Sequence, residues 1–187
     1  MKDPNYMGCL DIFITSDESS QHEDIKKAME LKRFKTMPLM SWDIYMMGYQ
    51  ERISETIKNN ELKEVLSLAK KYKWQNDLKT AFKENDYEAL IVTDKNQNII
   101  WVNDGFTKMN GYSKSFAKNK TPKFLQGEDT SITVRNRIRQ NVIDCKPFKE
   151  VIINYKKDGT PYKCQVNVIP LYNEQTTHFM AFEKEVV

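Results

Sequence analysis

The stretch "FKEVIINYKKDGTPYKCQVNVIPLY", residues 148–172, decides the fold of this sequence. It contains two runs that are rich in β-branched and aromatic residues, and the dipeptide Asp158-Gly159 lies between them. An Asp-Gly pair between such runs is a strong signal for a tight β-hairpin, because these residues accept the positive φ angles of the turn. The stretch therefore predicts two antiparallel strands.

Three further strands are predicted outside this hairpin. The run "THFMAFEKEV", residues 177–186, follows it after a short polar connection. Earlier in the chain, "ALIVTD" (89–94) and "NIIWVN" (98–103) flank "KNQ" and predict a second hairpin.

The segment between the two hairpins is predicted to be helical. Gly111, Pro122 and Gly127 break its first part into short turns, and "DTSITVRNRIRQNVID" (129–144) predicts a longer helix. The order is two strands, short helices, one long helix and three strands. It predicts an α+β domain over residues 87–187, with a five-stranded antiparallel sheet and helices on one face.

The first 86 residues are predicted to form an N-terminal helical extension. Residues 1–22 are a polar tail, and residues 23–86 carry apolar positions at helical spacing. Ser41 is a candidate cap for one helix, and Asn60 for another that begins at "ELKEV". We expect this helical cap to pack on the open face of the sheet or to bind a partner.

Composition excludes several classes of function. The 29 basic and 26 acidic side chains give a net charge of only +3, and they are interspersed, so nucleic acid is not expected as the main partner. No apolar run has the roughly 20 residues of a membrane span, and no signal peptide is recognisable. The three cysteines, Cys9, Cys145 and Cys164, lack metal-binding spacing. We expect a cytoplasmic protein without a structural zinc site.

From Ala89 to Val186 the chain resembles a PAS domain of the light-oxygen-voltage (LOV) branch. The resemblance is carried by "IIWVNDGFTKMNGYS" (99–113), "FLQGEDT" (124–130), "RIR" (137–139), "VIINYKKDG" (151–159) and "FMAFEKE" (179–185). It implies the PAS fold and a pocket that in this family holds flavin mononucleotide (FMN).

The reactive loop departs from the family pattern. In the LOV family this loop reads Asn-Cys-Arg-Phe-Leu-Gln, and its cysteine forms a photoadduct with the flavin. Here the same positions read "TPKFLQ", residues 121–126, so that Pro122 stands at the reactive position. Proline has neither a thiol nor a backbone donor. We therefore expect no cysteinyl-flavin photocycle.

The resemblance implies six cofactor-binding positions, which keep the family chemistry only in part. Four agree with it or keep its charge: Lys123, Gln126, Arg139 and Asn154. Cys164 replaces a flavin-binding asparagine, and Glu183 replaces the final-strand glutamine that relays the state of the flavin. An ionised carboxylate only accepts hydrogen bonds, so Glu183 is expected either to be protonated or to pair with a neighbouring lysine.

Two functions stay open, and a third is not favoured. The first is a sensory module without flavin that acts through a homodimer or through a partner protein, contacted by the N-terminal helices or the sheet face. The second is a cysteine-less FMN sensor that signals by flavin photoreduction. No catalytic constellation and no attached effector segment is recognisable, so we expect no enzyme. Haem is not expected, because the two histidines, His22 and His178, lie outside the central helices.

Overall fold

The computed structural model describes residues 42–186 of the chain. The described residues from Arg52 onward belong to one compact unit, which contains the sheet with all of its connections. The predicted tail, the first part of the predicted helical cap and the proposed cap residue Ser41 lie outside the described residues.

A five-stranded antiparallel sheet forms the centre of this unit. Its strands are β1 (Ala89–Asp94), β2 (Ile99–Val102), β3 (Phe148–Tyr155), β4 (Pro161–Tyr172) and β5 (Thr176–Val186). They are arranged in the order β2-β1-β5-β4-β3. Gly159 has a φ of +86°, as the predicted Asp-Gly hairpin requires. The predicted sheet is confirmed, and the last strand in sequence lies at its centre.

The inner face of the sheet is covered by the connection between β2 and β3. This connection forms α3 (Asp104–Asn110), α4 (Lys114–Ala117), a 3-10 helix (Pro122–Leu125) and α5 (Ile132–Ile143). Each α-helix starts at a polar residue whose side chain accepts a backbone N–H of the first turn: Asn103, Ser113 and Ser131. The buried core between these helices and the sheet includes Phe106, Leu125 and Val166.

The outer face of the sheet is covered by the end of the N-terminal helical segment. Helix α1 runs from Trp42 to Tyr72, and α2 runs from Leu78 to Glu84. Val65 of α1 and Leu78 and Phe82 of α2 pack on Met180 and Phe182 of β5 in a second buried core. Packing on the open sheet face is therefore seen for residues 62–82, whereas Ile53 and Ile57 earlier in α1 are exposed.

The predicted helix start at Asn60 is wrong, because α1 continues through that position without a break. A cap residue starts a helix only where the preceding chain is not helical, and the residues before Asn60 are already helical. The helix ends at Tyr72 and is followed by Lys73, whose φ is +59°. The N–H of Trp74 then bonds to the carbonyl of Ala69 at 3.0 Å, which is the six-residue bond of a Schellman motif.

Candidate functional site

A cavity of about 130 Å³ lies between the inner sheet face, the 3-10 helix and α5. Most of its wall is aliphatic or aromatic, and its polar side chains are Thr93, Gln97, Lys123, Gln126, Asn154 and Glu183. A buried cavity of about 150 Å³ in another protein accepts benzene. In this conformation the cavity therefore has room for a small aromatic ring.

The 3-10 helix forms one wall of the cavity because its two ends are fixed. Pro122 stands at its first position, where the missing N–H has no helical role. Leu125 is buried in the core below it. Just beyond, Gly127 lies so close to Tyr155 that a Cβ atom would come within 2.5 Å of the ring. The Tyr155 hydroxyl donates to Asp129 Oδ2 at 2.7 Å and accepts from the Asp129 N–H at 2.9 Å, which holds the loop against β3.

Glu183 contributes a buried carboxyl group to the cavity wall. It lies on β5, between Ala89 of β1 and Val166 of β4, and only 4% of it is exposed. Burial raises the pKa of this carboxyl to about 7, and a hydrogen bond with Cys164 partly counteracts that rise. Near neutral pH the group therefore exists in both protonation states, and only the protonated state can donate a hydrogen bond.

Of the two alternatives expected for Glu183, protonation or a lysine pair, the pairing with a lysine is wrong. Lys184, the next residue, donates instead to Asp86 at 2.6 Å. Within residues 42–186, Glu183 makes no ion pair under 4 Å, and its Oε2 atom has no hydrogen-bond partner. Successive strand residues point to opposite faces, so the lysine beside Glu183 in sequence is directed away from the cavity.

The structure brings four of the six expected positions together and leaves two outside the cavity lining. Lys123, Gln126, Asn154 and Glu183 line the same cavity. Cys164 is fully buried on the same sheet face but does not line it, and burial raises the pKa of its thiol, so the unreactive protonated form dominates. Arg139 is exposed on α5, two residues after Arg137, which pairs with Glu150 at 2.8 Å.

Sequence reasoning missed two polar cavity residues, Thr93 and Gln97. Thr93 follows Ile91 on the same face of β1, so the alternation along the strand carried a signal for it. Gln97 has a φ of +66° in the turn after β1, and no residue pattern indicated that its side chain would reach the cavity.

A chain of hydrogen bonds connects β5, the strand that carries Glu183, to α1. It was not predicted from the sequence. The Glu88 N–H donates to the Glu183 carbonyl at 2.8 Å, and the Glu88 carbonyl accepts from Asn103 Nδ2 at 3.2 Å. The same Nδ2 group donates to Glu61 Oε1 at 2.9 Å, and Tyr87 donates its hydroxyl to Glu61 Oε2 at 2.8 Å. Glu61 lies one turn before Val65 on the buried stripe of α1, which was the available signal.

A second contact fastens the end of α1 to β5. His178 is buried on the outer sheet face beside the rings of Tyr72 and Trp74, with ring centroids 4.3 and 5.0 Å away. The indole N–H of Trp74 lies 3.2 Å from His178 Nδ1 and 3.2 Å from Thr177 Oγ1. Burial lowers the pKa of His178, and the nearby Asp94 carboxylate partly opposes this. The neutral ring can accept the indole proton.

Residues 42–186 contain neither of two further features, a metal-binding cluster and a membrane-spanning helix. No group of three or more His, Cys, Asp or Glu side chains there could hold a metal ion. No helix in that range has the length and apolar character needed to cross a membrane.

Comparison with known proteins agrees with the fold described above for residues 88–186. The family model described as "PAS domain" matches residues 88–186, which is 99 of the 187 residues. The chain is 33% identical over 102 residues to the Blue-light photoreceptor of Listeria monocytogenes, and 27% identical over 100 residues to the Nitrogen fixation regulatory protein of Klebsiella oxytoca. These matches cover 52% of the chain but only 40% and 20% of the two relatives.

A solved structure extends the comparison to three dimensions. The LOV domain from the blue-light activated histidine kinase of Erythrobacter litoralis EL346 superimposes with a TM-score of 0.51 and 27% sequence identity. The match covers 55% of this chain and 98% of that domain. The similarity therefore spans nearly the whole of that LOV domain.

Proposed function

The chain belongs to the PAS domain family and is related to LOV-type blue-light photoreceptors, and we propose that it is a sensory module in which the cavity ligand controls the docking of α1 on the sheet. The signal passes to a partner protein or a second copy of the chain through α1. No thiol adduct is part of this mechanism, because Pro122 supplies no thiol and Cys164 does not line the cavity.

The observation that carries this proposal is the position of β5 between the cavity and α1. Glu183 and Ala181 line the cavity, whereas Phe182 and Met180 belong to the core beneath α1. A ligand that moves the inner side chains of β5 therefore acts on the same backbone that supports α1. Because packed cores have discrete arrangements rather than a continuous range, a small shift can change how the helix docks.

A second connection between β5 and α1 is the chain of hydrogen bonds through Glu88, Asn103 and Glu61. The carboxylate of Glu61 is buried on α1, and its two oxygens accept from Asn103 and Tyr87. Loss of either donor leaves a buried carboxylate short of a partner, which is destabilising. The position of α1 on the sheet therefore depends on the position of the start of β1. This strand in turn pairs with β5, which carries Glu183.

FMN is a second candidate ligand, favoured by the four family positions that line one cavity, and its three-ring system would require this cavity to widen beyond about 130 Å³. Asn154 and Gln126 have the amide chemistry that suits the polar edge of a flavin, and Lys123 has the charge to neutralise its phosphate. Glu183 suits the ring when it is protonated, because it then donates a hydrogen bond as a glutamine would. Bound flavin would supply blue-light absorption and one-electron redox chemistry.

The experiment that tests the proposal joins ligand identification to a readout on α1. Freshly purified full-length protein is examined by absorption spectroscopy and by mass spectrometry of any released small molecule. Hydrogen–deuterium exchange of α1 is then compared between loaded and stripped protein. The proposal predicts that α1 amides change their exchange rates on ligand removal. Identical α1 exchange in the two states would contradict it, and a flavin absorption band would identify FMN as the ligand.

A further inference from the structure

The polar groups of the cavity wall restrict the class of ligand more than the volume of the cavity does. Glu183 is buried, and its Oε2 atom has no hydrogen-bond partner among the described residues. An enclosed carboxyl oxygen without a donor is destabilising, because nothing replaces its lost hydration. Rotation about the terminal torsion exchanges the two oxygens, so either can face the cavity. A ligand that brings an N–H donor to this group removes the deficit.

The two amides of the wall add a different kind of partner. Asn154 and Gln126 line the cavity, and each side-chain amide carries an NH₂ donor and a carbonyl acceptor. Asn154 is 4% exposed, so it too gains from a polar ligand atom. A ligand that satisfies the whole set therefore carries N–H donors on one edge and a carbonyl acceptor on another.

The charges at the cavity favour a ligand that is itself neutral. Lys123 and Glu183 are the charged residues of the described lining, and Lys123 is exposed at the rim. A cationic ligand would pair with Glu183 but would be repelled by Lys123, and an anionic ligand would meet the opposite conflict. The remaining wall includes Ile91, Val168 and Phe179, which suit the faces of a flat ring.

We propose that the cavity binds a neutral amino-oxo heteroaromatic ring of pyrimidine size, with its N–H edge on Glu183 and its carbonyl oxygen on the amides of Asn154 and Gln126. This assignment rests on the proposed function, because it names the ligand class of the same cavity. The proposed ligand differs from FMN in the state of Glu183 that it uses. The ionised carboxylate accepts hydrogen bonds from this ring, whereas the protonated carboxyl donates one to the flavin.

The probe that tests the assignment is isocytosine, which carries adjacent ring N–H and amino donors beside a carbonyl group. Its affinity for the full-length protein is measured by calorimetry at pH 5.5 and pH 8. We expect binding to tighten by about tenfold at the higher pH, because Glu183 loses its proton across this range. Uracil, which lacks the amino group, is expected to bind at least about tenfold more weakly than isocytosine at pH 8.

Two matched variants separate the role of Glu183 from a general effect on the fold. Glu183→Gln is expected to weaken isocytosine binding by about tenfold at pH 8 and to abolish the pH dependence. Glu185→Gln changes an exposed carboxylate on the same strand and is expected to bind as the unmodified chain does. Unchanged affinity in Glu183→Gln, or no saturable isocytosine binding to the unmodified protein, would overturn the assignment.

The readout on α1 distinguishes failure of this assignment from failure of the proposed function. Isocytosine that binds through Glu183 without changing the exchange of α1 would contradict the proposed function and leave the ligand class standing. The opposite outcome is that the protein does not bind isocytosine, while FMN binds and changes the exchange of α1. That outcome would contradict the ligand class and leave the proposed function standing.

Discussion

The side-chain amide of Asn103 donates a 2.9 Å hydrogen bond to the buried carboxylate of Glu61, and this contact ties α1 to the sheet. Asn103 has a structural task of its own, since its Oδ1 atom accepts the N–H of Phe106 at the start of α3 and the N–H of Leu90 on β1. One side chain thus fixes a helix start, a strand and the docked position of α1. Any shift of β1 relative to α3 reaches α1 through it.

Removal of the Glu61 carboxylate is expected to loosen α1. Glu61→Ala deletes both acceptors and leaves the buried Asn103 amide and Tyr87 hydroxyl without these partners, which costs about 1–3 kcal/mol of unfolding free energy. Urea denaturation measures this loss, and faster exchange of the α1 amides locates it. Glu64→Ala is the control, because Glu64 is exposed and, among the described residues, accepts only from the Trp101 indole. Equal effects of the two substitutions would contradict the role assigned to Glu61.

Gly105 is expected to tolerate no side chain. A Cβ atom at this position would overlap the carbonyl oxygen of Glu88, the group that accepts from Asn103. Gly105→Ala must therefore displace the start of β1 and is expected to lose about 1–3 kcal/mol of stability. Gly48→Ala is the matched control, since no heavy atom of residues 42–186 lies within 4 Å of a Cβ atom built there. Thermal denaturation compares the two, and full stability of Gly105→Ala would contradict the packing described.

Glu183 is expected to make the folded chain less stable as the pH rises. Its pKa is raised by burial from 4.5 to about 7, so between these values the folded state binds more protons than the unfolded state. Stability is then fully present below pH 4.5 and is lost as the pH rises through 7, by roughly 3 kcal/mol. Glu183→Gln removes this loss and is expected to be the more stable protein at pH 8. Urea titrations at several pH values measure the difference, and parallel pH profiles would contradict it.

His178 is expected to act in the opposite direction and at lower pH. Because burial lowers its pKa from 6.5, the unfolded state takes up a proton before the folded state does. Stability is therefore present above pH 6.5 and falls as the pH drops toward the folded-state pKa. Protonation also removes the acceptor that faces the Trp74 indole, so the fluorescence of Trp74 reports the event. A His178→Phe variant whose stability depends on pH as the unmodified chain does would contradict this account.

Much of the fold could be predicted because local signals agree with one another. The Asp158-Gly159 turn, the β-rich runs on both sides of it and the breaks at Gly111 and Pro122 all indicate the elements that the structure contains. The predicted helix start at Asn60 was wrong. An asparagine in the middle of a continuous helix cannot be told from a capping asparagine by its identity alone. The length of α1 depends on its packing against the sheet, which a local pattern does not carry.

The candidate site could be predicted only where a resemblance supplied positions. Lys123, Gln126, Asn154 and Glu183 line one cavity, whereas Arg139 lies on the exposed side of α5. The connection from Glu88 through Asn103 to Glu61 joins residues that are far apart in sequence, and a carboxylate on a helical stripe resembles a surface residue. The unpaired state of Glu183 likewise depends on the direction of the neighbouring lysine, which only the folded sheet determines.

The most direct test of the central claim fills the cavity without any ligand. Ala181 lines the cavity beside Glu183, and Ala181→Leu adds apolar volume at that point while β5 keeps its outer side chains. Hydrogen–deuterium exchange is followed over residues 61–72 of α1. The account predicts that these amides change their exchange by about fivefold or more, the lower end of typical coupling between two sites. A folded Ala181→Leu protein whose α1 exchanges at the rate of the unmodified chain would contradict it.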